Sequence, residues 1–112
     1  MYRQGDVLLV PIDSDPTERG RLQTRDPRGR IVLAEGEATG HAHAIAEEGA
    51  HLYGKGPERR FLRVLDEGGV ELVHEEHATI HLEPGSYRVI RQRHWLYNQS
   101  LWGAGQIGWV QD

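Results

Sequence analysis

Apolar residues in this chain come in short bursts, each closed by glycine, proline or acidic turn residues, and that punctuation governs what the chain can fold into. No long stretch repeats apolar positions at helical spacing. Short bursts bounded by turn residues are the mark of strands, and 14 Gly and 5 Pro supply the breaks. Val7-Leu8-Leu9-Val10-Pro11-Ile12 predicts a first strand, apolar enough at its centre for burial on both faces. Arg30 to Ala34 predicts a second, Thr39 to Ala46 a third and Ala50 to Tyr53 a fourth. Arg60 to Leu65 and Val70 to His74 flank Asp66-Glu67-Gly68-Gly69, which reads as a hairpin turn. Ile80 to Leu82 precedes a Pro84-Gly85 turn, and Ser86 to Trp95 predicts the longest strand. Short strands in such number predict an all-β fold: a small single-domain β-barrel or a two-sheet sandwich.

The 112 residues amount to one domain, 1–112. Asp13 to Gly29 holds almost nothing apolar except Leu22 and predicts an exposed loop at about 13–29. Leu96 to Asp112 predicts an aromatic C-terminal tail, with Tyr97, Trp102 and Trp109, docked through its aromatic area and ending in a last strand at Ile107 to Val110.

Composition removes several chemistries. The chain has no cysteine, so disulfides, thiolate metal sites and cysteine nucleophiles are excluded. There is no phosphate-binding glycine loop and no serine in a nucleophile motif. The formal charge of -4 argues against a nucleic-acid surface. The clusters Arg59, Arg60, Arg63 and Arg88, Arg91, Arg93 read as solvated strand faces. Met1 to Asp6 carries no apolar run of signal-peptide length and no segment is long enough to span a bilayer, which predicts a soluble, cytoplasmic protein with no membrane partner.

The histidines carry the remaining chemistry. Residues two apart on a strand share a face, so His41 and His43 project together with Ile45, while Ala42, Ala44 and Ala46 form an opposite face expected to pack tightly on another layer. His74, His77 and His81 follow in a second group. Imidazole is the commonest ligand for transition metals, and three imidazoles, with or without a carboxylate, leave a metal one open position. The candidate metal ligands are therefore His41, His43, His74 and His77, with Glu47 or Glu75 as a candidate carboxylate. The ion is a divalent transition metal: zinc, iron, manganese or nickel. His51, His81 and His94 read as structural, Asp6 as a polar residue entering a strand or, less directly, a first-strand carboxylate facing the site, and no catalytic residue is assigned.

Two resemblances bear on this reading. Gly40-His41-Ala42-His43 with Glu47, and Glu83-Pro84-Gly85, resemble the two motifs of cupins, in which histidines and a glutamate hold a metal; here Pro84 and Gly85 are adjacent and the next histidine is His94. More extensively, Arg3-Gln4-Gly5-Asp6-Val7-Leu8-Leu9, the Leu33 to His43 segment, His74-Glu75-Glu76-His77 and Pro84-Gly85-Ser86-Tyr87-Arg88-Val89 resemble an uncharacterised family of short bacterial and phage-associated proteins. That resemblance implies that His41, His43, His74 and His77 belong to the family pattern, and it implies no activity. The expectation is a metal-binding β-protein, or a metal-dependent enzyme acting on an unknown small molecule. The alternative is a non-catalytic β-module for protein interaction or homo-oligomeric self-association, with structural histidines.

Overall fold

A computed structural model describes residues 1–35, 40–56 and 59–91. The predicted tail at 96–112, His94 and the final strand lie outside the described residues. Ten strands follow in order: β1 (Tyr2–Gln4), β2 (Val7–Ile12), β3 (Arg21–Leu22), β4 (Ile31–Glu35), β5 (Ala42–Ile45), β6 (Ala50–Gly54), β7 (Arg60–Val64), β8 (Val70–Leu72), β9 (Ile80–Leu82) and β10 (Gly85–Arg91). The fold is all-β, as the bursts require.

Six strands form one antiparallel sheet in the order β1-β2-β10-β7-β6-β3. Two antiparallel pairs, β4-β5 and β8-β9, form a second layer, joined by a single bridge between Ala44 and Val73. The arrangement is a two-sheet one rather than a closed barrel. Alternation then sorts the side chains. Val7, Leu9, Leu62, Val64, Tyr87 and Val89 from the large sheet meet Ile31, Leu33, Ile45, Val70, Leu72 and Leu82 from the small one. Leu8, between Val7 and Leu9, is buried on the other face, so the centre of β2 is covered on both sides.

Two arginines bolt the layers together. Arg60 on β7 and Arg91 on β10 reach across to the carbonyls of Leu33 and Glu35 on β4. The β4-β5 register shifts between Val32 and Ala34. Arg60 and Arg91 are half-buried bolts rather than members of solvated strand faces. Burial, followed by the nearby Arg91 charge, pushes the Arg60 pKa down.

The Asp66 to Gly69 turn departs from expectation. It does not close a hairpin, because β7 already pairs with β6 and β10 while β8 pairs with β9. The chain crosses between sheets there. Gly69 adopts φ 77° and packs so closely on the Leu82 carbonyl that a Cβ would lie 2.4 Å from its oxygen. Within 13–29 most side chains are exposed, but the backbone is anchored: Gln23 N–H donates to Leu52 O, and Arg25 donates to the carbonyls of Glu47 and Ala50.

Candidate metal centre

The site begins at a tight turn. Gly5 and Asp6 connect β1 to β2 with Gln4 opposite Val7. Gly5 has φ 56°, while no non-glycine residue among the described ones has positive φ. Glycine at the first of two central positions is the pattern of a type II′ hairpin. The missing side chain also matters. A Cβ on Gly5 would lie 2.7 Å from His77 Nε2 and 3.2 Å from His43 Cε1. Two rings therefore converge on one glycine. Gly5→Ala should cost about 2 kcal/mol from the left-handed backbone and the ring it displaces, read from urea denaturation; an unchanged midpoint would contradict this packing.

All four predicted histidines gather here. The His43 and His74 ring centroids are 4.2 Å apart, His74 and His77 4.7 Å, His43 and His77 5.7 Å, and His41 and His74 5.9 Å. His43, on β5, and His74, just after β8, are buried; His41 is half-buried and His77 is exposed on the loop before β9. Strand phase accounts for His43. The reach of His74 and His77 follows from the Ala44–Val73 bridge, which brings the end of β8 beside β5.

Gln4 sets the chemistry of His43. It is only 2% exposed. Its Nε2 donates to Leu72 O and Ala78 O, each at 2.9 Å, which fixes the amide. Oε1 must then accept, so His43 Nδ1, 2.9 Å away, carries a proton and donates. In the neutral ring Nε2 is left with its lone pair. Burial, followed by the charge of His74, pushes the His43 pKa from 6.5 down to about 4, against the opposing pull of Asp6. Asp6 Oδ1 lies 3.4 Å from His43 Nε2, and its Oδ2 accepts from Arg91 Nε at 3.0 Å.

His74 is tied in the opposite sense. Its Nδ1 accepts from the Glu76 N–H at 3.0 Å, so the neutral ring carries its proton on Nε2. His41 Nδ1 is buried without a hydrogen-bond partner among the described residues, 3.7 Å from Glu76 Oε2. Glu75 accepts from the Ala42 N–H, which, ahead of its other contacts, lowers its pKa below 4.5. Glu47 accepts from the Glu71 N–H. Ala42, Ala44 and Ala46 line a cavity of about 170 Å³ with Arg30, Val73, His74 and Glu75; Ala42 and Ala44 are buried and Ala46 is exposed.

Gln4 is the site residue that the sequence reading misses; Asp6, read chiefly as a polar strand-entry residue, faces the site. A Gln-Gly-Asp turn between two strands was the available signal. Among the described residues, no three His, Asp or Glu side chains stand where one metal ion could reach them all. No helix among them is long and apolar enough to cross a membrane.

The profile of a family described as "Domain of unknown function (DUF8820)" matches residues 3–92. No curated protein and no solved structure matches the chain.

Proposed function

We propose, for a chain that belongs to the DUF8820 family, that the imidazole cluster binds a divalent transition metal, drawing its ligands from His41, His43, His74 and His77. The observation that carries this reading is the buried, neutral His43, whose Nδ1–H is held by Gln4 so that Nε2 keeps a free lone pair beside the other rings. Holding one ring nitrogen by a hydrogen bond so that the other is presented is how protein partners orient metal-bound histidines. An open coordination position would let the ion activate water or polarise a small substrate, as in metal-dependent enzymes. Zinc, iron, manganese and nickel all suit imidazole donors.

A second reading is favoured by one observation: three donors do not converge on a common point among the described residues. In that reading the cluster is a structural hydrogen-bonding network in a β-module that binds a protein partner or itself. The outer edges of β1 and β3, which pair with no strand among the described residues, support self-association; light scattering on gel-filtered protein measures it. The cupin-like character, the bacterial or phage-associated setting and the cytoplasmic location rest on the sequence motifs and composition.

Elemental analysis of protein purified without a histidine tag separates the two readings. The metal reading expects about one equivalent per chain, lost in a His41→Ala/His43→Ala variant. No metal, with a melting temperature unchanged by chelator, supports the structural one.

A further inference from the structure

We infer that Asp6 is a ligand of the proposed ion and that His74 is not, so that the ion rests on His43 Nε2 and the Asp6 carboxylate, with His77 swinging in as the third donor. This rests on the metal reading above and names its ligand set.

Three observations carry it. First, His43 Nε2 and Asp6 Oδ1 face one another at 3.4 Å with no proton assigned to either. Two electron-rich atoms held this way favour a cation between them. Two ligands each about 2.0–2.1 Å from a tetrahedral ion are themselves about 3.3–3.4 Å apart, so this pair is already spaced as one edge of a coordination tetrahedron. Arg91 Nε holds the other Asp6 oxygen at 3.0 Å, and Gln4 holds the other His43 nitrogen at 2.9 Å. Both ligands are thus oriented from behind.

Second, the His74 tautomer is wrong for coordination through Nε2. Its Nδ1 accepts from the Glu76 N–H, which places the ring proton on Nε2. Coordination through Nε2 would shift that proton to Nδ1, where it would oppose the Glu76 N–H. His74 serves instead as a tilted neighbour, its ring centroid 4.2 Å from that of His43, that presents an N–H.

Third, His77 is exposed, sits on a loop, and already places Nε2 against Gly5, the residue before Asp6. A turn of that side chain brings the third donor without moving a strand. Two imidazoles and one carboxylate leave open positions for water or an oxygen-bearing substrate, the pattern of catalytic rather than closed structural sites.

The test is a cobalt(II) titration of tag-free protein followed by its visible d–d absorption, on the parent chain, Asp6→Asn and His74→Gln. The parent should bind one equivalent. Asp6→Asn should weaken binding by about tenfold or more, and His74→Gln by less than about threefold. The reverse ranking overturns the ligand set while leaving the metal reading in place. Absence of cobalt absorption in the parent removes both. Nitrogen-15 imidazole spectra of the metal-free parent chain give a check that needs no variant to fold. They should show the proton on Nδ1 of His43 and on Nε2 of His74; the same tautomer on both rings overturns the assignment.

Discussion

Replacing Gln4 by alanine should destabilise the protein by about 3–5 kcal/mol in urea unfolding. Gln4 uses its whole amide in the interior: two carbonyls from the β8 end and the loop before β9 receive its NH2, and its oxygen receives the His43 ring N–H. Truncation takes the partner from two buried polar groups and one part-buried carbonyl, each buried one worth about 1–3 kcal/mol when orphaned and not strictly additive, and opens a cavity beside them. Gln4 also joins β1 of the large sheet to β5 and β8 of the small one, so the loss falls on the contact between layers. A change under about 1 kcal/mol would mean that water replaces the amide and that Gln4 is no keystone.

Stability of the metal-free protein should fall as pH drops from 6.5 towards 4. His43 has a folded pKa of about 4 against an ordinary 6.5. Between those values the unfolded chain binds a proton that the folded one refuses, so unfolding is favoured as the solution becomes more acidic. The stabilisation is fully present above pH 6.5 and is lost progressively down to the folded value. Its full size is about 3 kcal/mol. Asp15, Asp26 and Glu75 also have lowered pKa values, but they titrate below their ordinary 3.8 and 4.5. The part of the fall that depends on His43 is read by comparison with a variant. Urea midpoints measured from pH 6.5 to 4.5 should fall more steeply in the parent chain than in His43→Gln. Parallel curves would show that His43 is not held neutral by its surroundings.

Much of the architecture could be read from the sequence, because apolar bursts and turn residues act locally. The centre of β2, the limits of β9 and the buried His43 face of β5 all follow from alternation. The Asp66 to Gly69 crossover did not, since an acidic residue followed by two glycines makes the same local turn whether the next strand pairs with the last or leaves for another sheet. The cavity beside the alanine face was not legible for a related reason: small side chains fit a close layer and the wall of a cavity equally well. That His41, His43, His74 and His77 would cluster was legible from phase and residue type. The contribution of Gln4 was not, and Asp6 was legible only as one of two readings, because a polar residue at a hairpin end looks solvated until the strand that covers it is known. Arg60 and Arg91 misled in the same way, as strand charges whose partners are carbonyls on the opposite sheet.

Anomalous scattering from a crystal grown with the metal that copurifies, or with added zinc, tests the central claim most directly. The account predicts one strong peak within about 2.0–2.1 Å of His43 Nε2, on the Asp6 side of the ring. A well-diffracting crystal with no peak there, or with the ion held elsewhere while His43 still faces Asp6 unbridged, would contradict it.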